Sequence, residues 1–162
     1  AEKVMRAARA ARREKELKDR RKEDVLRGWQ SLILDRFQSQ DQRKILWVWD
    51  ETGNTGKTWL AQHLRAKLGA FVVGSGKWAD LKYLYNNEEH VVFDLTREME
   101  ARVPYGLMEA FKNGHVVSTK YSPEMKGHPA CKVMVFANFE PDKEKLSKDR
   151  WHICEVGGPK SK

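Results

Sequence analysis

The chain has 162 residues, 40% apolar and 33% charged, with 31 Lys and Arg against 23 Asp and Glu for a net charge of +8. That length suits one domain with an appendage, and the charge favours an anionic partner such as nucleic acid, although solubility alone explains a modest excess. No apolar run approaches the length of a membrane span and no signal-peptide pattern is present, which argues against a membrane partner. Two cysteines, Cys131 and Cys154, lie in apolar runs without C-x-x-C spacing and read as buried thiols of an intracellular, reducing compartment. The first residue is Ala1 rather than Met, so the chain is expected to be a piece or processed form of a longer protein.

Residues 1–22 are almost all Ala, Arg, Lys and Glu, without Gly or Pro, and predict one helix. Its apolar side is thin (Val4, Met5, Ala8, Ala11 and Leu17), too little to hold the helix alone, so it is expected to pack on a neighbour or on another copy of itself. A solvated basic arm and a nucleic-acid-binding arm are the alternatives. Asp24 is the expected N-cap of a second helix to about Phe37, with Leu26, Trp29, Ile33 and Phe37 as its apolar stripe and Gly28 as an internal cost. Ser39 to Gln42 reads as a loop.

Ile45–Trp49 is five apolar residues in a row, the pattern of a strand covered on both faces. A glycine-containing turn follows, then Lys57-Thr58, then Leu60, Leu64 and Leu68 at helical spacing up to Gly69. Strand, glycine loop, Lys-Thr and helix make a phosphate-binding loop, in which backbone N–H groups and a helix N-terminus face phosphate oxygens. Gly53, Asn54, Thr55, Gly56, Lys57, Thr58 and Trp59 are the expected cofactor-binding run. Lys57 would reach the β- and γ-phosphates, and the Thr58 hydroxyl would hold Mg²⁺. Against G-x-x-x-x-G-K-S/T, the leading glycine is replaced by Glu51.

Ala70–Val73 predicts a short strand, Trp78 to Tyr85 a helix with Leu81 and Leu84 inward, and His90–Asp94 a strand ending in a carboxylate. Ligands of open α/β sheets bind at the carboxyl ends of strands, so Asp94 is expected to face the magnesium at Thr58. A second acid commonly follows; here that position is Leu95, which leaves Glu98 and Glu100 as candidate bases, with Arg97 nearby. A helix from Tyr105 to Lys112 ends at Asn113-Gly114. His115–Lys120 and Cys131–Phe136 read as two strands joined by a polar, basic connection, a long hairpin. Asn138, at the next strand end, is either turn chemistry or an amide that orients water or touches the γ-phosphate. Trp151–Val156 is the last predicted strand, before a loose tail.

The ordered set GNTGKT, VVFDLTR, SxKY, FANFEPD and LSxDRW resembles the helicase domain of replication-initiator (Rep) proteins of circular single-stranded DNA viruses and related plasmids, over about residues 24–156. These are superfamily 3 helicases. The resemblance implies an α/β, AAA+-like P-loop NTPase core with a central, mostly parallel sheet, preceded by a helical oligomerisation segment. The division would be 1–40 for that segment, 41–156 for the ATPase domain and 157–162 for the tail. It further implies an ATP- and Mg²⁺-dependent hydrolase, a homo-oligomeric, commonly hexameric ring that moves along single-stranded DNA in rolling-circle replication. Lys57, Asp94 and Asn138 match the catalytic positions of its Walker A, Walker B and sensor motifs. Arg150 sits where such helicases carry an arginine finger acting on the next subunit's ATP. Lys120, Lys126 and His128 fall in the segment matching the DNA-gripping hairpin. The family's nuclease domain uses a His-x-His pair, which the five histidines here do not form, so nicking is expected to belong elsewhere. A viral member in a eukaryotic host would act in the nucleus. Leu95 keeps open a ring-assembly module with little hydrolysis, and an RNA helicase of the same superfamily is a third reading.

Overall fold

The structure, a computed structural model, describes residues 2–20, 25–53, 55–74, 81–116 and 130–156. Among them are α1 (Glu2–Arg20), α2 (Gly28–Gln38), β1 (Ile45–Trp49), α3 (Lys57–Leu68), β2 (Phe71–Val73), α4 (Leu81–Leu84), β3 (His90–Asp94), α5 (Tyr105–Asn113), β4 (Lys132–Ala137) and β5 (Trp151–Glu155). The five strands form one sheet in the order β2-β3-β4-β1-β5, and every pairing is parallel. The expected mostly parallel sheet is therefore wholly parallel over the described strands, an α/β arrangement compatible with a P-loop-like core.

Alternation along the strands sorts their side chains onto two faces. Ile45, Trp47, Val91, Phe93, Val133 and Val135 pack with Met108 and Phe111 of α5. Leu46, Val48, Val92, Met134 and Phe136 pack on the other side with Ile33 and Phe37 of α2 and Leu60 and Leu64 of α3. Helices on both sides explain why the strands read as unbroken apolar runs. Each buried Leu, Val or Phe stabilises the fold by roughly 1.5–3 kcal/mol. Trp47, wholly buried, donates its indole N–H to Phe139 O at 2.9 Å, which ties β1 to the chain just past β4.

Several local expectations change. α2 begins at Gly28, because Gln30 Oε1 accepts the Arg27 backbone N–H (2.8 Å) and makes Arg27 the cap. Gly28 is thus the first helical residue, where its conformational cost is small; Asp24 lies outside the described residues. Leu84 is 60% exposed, since α4 is one turn long and Tyr85 takes the inward place. Tyr85 donates to Glu88 O at 2.8 Å and meets Cys131 Sγ at 3.1 Å. Cys131 is buried and Cys154 half-buried, both as thiols. β4 has parallel partners on both edges, so it cannot be the arm of an antiparallel pair with residues 115–120. His115 and Val116 lie outside any strand, and residues 117–120 lie outside the described residues.

α1 is a helix, as its composition predicts, and is exposed along nearly all its described side chains, Val4 at 73% and Met5 at 55%. Glu14 meets Arg65 of α3 in an exposed ion pair. No helix among the described residues is long and apolar enough to cross a membrane.

Candidate functional site

β1, β3 and β4 are neighbours through parallel pairing, so their carboxyl ends come together on one edge of the sheet. Each delivers a polar residue there: Asp50 after β1, Asp94 at the end of β3 and Asn138 after β4. The glycine loop leaves β1 over the same edge and enters α3. Gly53 has φ +75° and Gly56 φ +97°, both left-handed values that L side chains rarely adopt. At Gly56 a Cβ would also come within 3.1 Å of Gln30 Nε2.

The loop encloses a cleft of about 520 Å³ lined by Gly53, Lys57, Thr58, Asp94, Arg97 and Asn138 among others. Thr58 Oγ1 donates to Asp94 Oδ2 at 3.1 Å. Lys57 Nζ donates to Asp50 Oδ1 and, at 3.3 Å, to Thr55 Oγ1. Burial pushes the Asp94 carboxyl above the usual carboxylate range, opposed by the Thr58 hydrogen bond and the Lys57 charge. α3 has no side-chain cap and no acid in its first turn. Its first N–H groups and partial positive charge are therefore offered to an anion.

Thr58 and Asp94 are hard oxygen donors side by side, the chemistry that suits Mg²⁺, which commonly takes one or two protein ligands and fills its shell with phosphate and water. Among the described residues no group of three or more His, Cys, Asp or Glu could hold a metal on its own. The residues thus fit a cation that arrives with a phosphate ligand.

Two residues of the α2 entry pin the loop from behind. Gln30 Nε2 donates to Gly56 O (3.2 Å) and Arg27 Nη1 to Thr55 O (3.2 Å). On the opposite side Arg97 Nη2 donates to Glu51 O at 2.7 Å, so the residue standing for the leading glycine is held through its carbonyl. Sequence reasoning missed these contacts because the partners are 26 to 46 residues apart. Asp50 was within reach: it ends an apolar strand as Asp94 does. Trp59 lines the cleft and stacks on His63 at 5.4 Å.

Leu95 is 4% exposed, and its N–H continues the ladder to Phe136 O at 2.8 Å. The place of a second acid is thus an apolar core position. Glu98 and Glu100 are exposed in the 3-10 segment Arg97–Arg102. Glu100 lines an adjoining cleft of about 630 Å³ that shares Arg97 and Asn138 with the first.

Arg150 lies at the other end of the sheet. Trp151 pairs with Ile45, the first residue of β1, so Arg150 is a strand length, roughly 15 Å, from the loop. It is 3% exposed, donates to Asn113 Oδ1 (2.8 Å) and Arg43 O (3.2 Å), and lies 3.2 Å from Glu109 Oε2. An arginine that reaches a neighbouring subunit's nucleotide needs an accessible head group, and in this chain the Arg150 guanidinium is enclosed by its own fold. Asn54, Lys120, Lys126 and His128 lie outside the described residues.

No family model matches the chain. Curated relatives do. Residues covering 75% of the chain are 38% identical to the master replication protein of Faba bean necrotic yellows virus. The match to the master replication protein of Banana bunchy top virus is 40% over 76% of the chain. The chain is similar to viral replication proteins. The similarity extends to the Para-Rep C6 protein of Subterranean clover stunt C6 alphasatellite, 40% identical over 77% of the chain. The matches cover 43%, 43% and 46% of these relatives, so the chain spans under half their length.

Proposed function

We propose that this chain is the ATP-binding and ATP-hydrolysing part of a replication-initiator protein, acting in rolling-circle replication of circular single-stranded DNA. The observation that carries the reading is the meeting of Lys57, Thr58, Asp94 and Asn138 around a positive-φ glycine loop at the carboxyl ends of three parallel strands. The similarity to viral replication proteins supports the biological setting.

In this reading the loop N–H groups and the α3 N-terminus cradle the phosphates, and Lys57 meets the β/γ oxygens. Thr58 and Asp94 would hold Mg²⁺, which supplies charge neutralisation at the phosphates. Asn138 orients water for in-line attack, and phosphoryl transfer asks little more of a protein than positioning and electrostatics. Arg97, exposed and lining the cleft, is placed to meet developing charge there. The assembly would be a homo-oligomeric, most simply hexameric, ring built with α1 and gripping single-stranded DNA through Lys120, Lys126 and His128. Such contacts to the backbone predict sequence-tolerant, salt-weakened binding. The setting that follows in a eukaryotic host is the nucleus.

Turnover of ATP·Mg²⁺ with and without single-stranded DNA tests the reading. Stimulation by DNA that disappears in Lys57→Ala is expected; equal turnover in both proteins would sink it. The buried Leu95 supports a second reading, a nucleotide-regulated assembly module with little hydrolysis. That reading predicts nucleotide-dependent particle size without stimulated turnover.

A further inference from the structure

Lys57 carries the proposed phosphate contact, yet its ammonium is already engaged inside the chain. Asp50 follows β1 directly, and its backbone N–H donates to Ala137 O at 3.2 Å, so the sheet fixes the origin of its side chain. Asp50 is 1% exposed and Lys57 7%. Lys57 Nζ donates to Asp50 Oδ1 and to Thr55 Oγ1, which uses two of the three ammonium donors. Asp50 Oδ2 is buried with no hydrogen-bond partner among the described residues. Lys57 lines the cleft; Asp50 is not among its lining residues.

We propose that Asp50 is an internal competitor for the phosphate-binding lysine, a latch that a nucleotide must open before Lys57 can serve it. The proposal rests on the nucleotide reading above. A carboxylate and a triphosphate present the same chemistry to an ammonium, and both cannot hold it fully at once. Drawing Lys57 onto phosphate leaves Asp50 buried with its second oxygen already unpaired, and an uncompensated buried charge is costly. That cost is subtracted from nucleotide affinity. If the latch holds about nine molecules in ten, apparent affinity falls roughly tenfold below the intrinsic value. Asp50 is thus a positioning residue: it sets how strongly a ligand must bid for Lys57 and touches no reacting atom.

The test is titration of the full chain with a fluorescent ATP analogue and Mg²⁺. Asp50→Asn, which keeps the shape and removes the charge, is expected to bind about tenfold tighter. Asp50→Glu, which restores a carboxylate, is expected to return binding toward the original strength. Unchanged or weaker binding in Asp50→Asn overturns the latch. Lys57→Ala separates the two levels: if it binds as the parent does, the nucleotide reading itself fails. Should Asp50→Asn not fold, the side-chain carboxyl carbon resonance of Asp50 can be followed in the unaltered chain. A shift on saturation with ATP·Mg²⁺ is expected, and an unmoved resonance overturns the proposal.

Discussion

At the amino-terminal end of the sheet, Lys112 and Arg150 are 2% and 3% exposed; at the carboxyl-terminal end, Lys57 is 7% exposed. All three cations are buried, but their surroundings differ. Lys112 Nζ donates to Gln40 Oε1 and Asp41 O, both at 2.9 Å, and Gln40 in turn exchanges two hydrogen bonds with the Val133 backbone. Arg150 is held by Asn113, Arg43 and Glu109. These partners belong to elements the sheet anchors, and they fasten α5, β4 and β5 together. Lys57 instead stands on a cleft wall just after two glycines of positive φ, beside a hydroxyl and a carboxylate that touch each other. Burial of a cation therefore does not mark a site. What separates the two ends is an opening beside the cation and a backbone that can approach a ligand.

The largest effect should come from the stitched end. Arg150→Met leaves Glu109 and Asn113 without their partner and is expected to lower stability by about 1–3 kcal/mol, read from denaturant unfolding, with nucleotide affinity unchanged. Full stability with lost DNA-stimulated turnover would instead return Arg150 to a role between subunits. Lys57→Ala should do the reverse in function, costing on the order of 10²-fold in ATP affinity by direct titration.

The third prediction concerns pH. Burial lowers the Lys112 ammonium from 10.5 to about 8, with Asp41 opposing the shift and Arg150 adding to it. The unfolded chain keeps that proton to about pH 10.5, whereas the folded chain releases it near 8. The unfolded state thus binds more protons in that window, and stability should rise with pH by up to about 1.4 kcal/mol per unit. Over pH 8–9 the slope should vanish in Lys112→Met; equal slopes in the two proteins would show that Lys112 stays charged. At the other end, the raised Asp94 carboxyl should lose Mg²⁺ at a higher pH than an ordinary carboxylate as the solution is acidified, seen by metal titration. The smallest effect belongs to neither end: Glu14→Ala breaks an exposed pair and should cost below about 1 kcal/mol.

The same contrast explains what was legible in the sequence. β1, α3 and β3 are local patterns of apolar runs, spacing and glycine, and the predicted bounds fall within a residue or so of those observed. Lys57, Thr58, Asp94 and Asn138 could be gathered because Lys57 and Thr58 close the glycine loop that leaves β1, Asp94 ends β3 and Asn138 follows β4, and parallel strands share one carboxyl edge. Arg150 also flanks a strand, but at its start, at the end of the sheet away from the loop. Nothing local distinguishes an arginine beside a site from one that closes a core, since Asn113 and Arg43 are 37 and 107 residues away. Gln40 carries no signal at all: its amide matters because it meets Val133 across 93 residues. Leu84 and Tyr85 were exchanged because a one-turn helix has no periodicity to read.

The position of β4 between β3 and β1 sets an order of events. Lys57 and Asp94 are both present in the nascent chain well before residues 132–137 exist. Until β4 inserts, β1 and β3 have no shared neighbour, and the lysine and the carboxylate belong to separate halves. Closing the gap fixes contacts between residues far apart in sequence, the slow kind of folding step. A chain interrupted before Lys132 would carry most of the motif and no site, and would leave both edges of β1 and one edge of β3 bare for other chains to pair with.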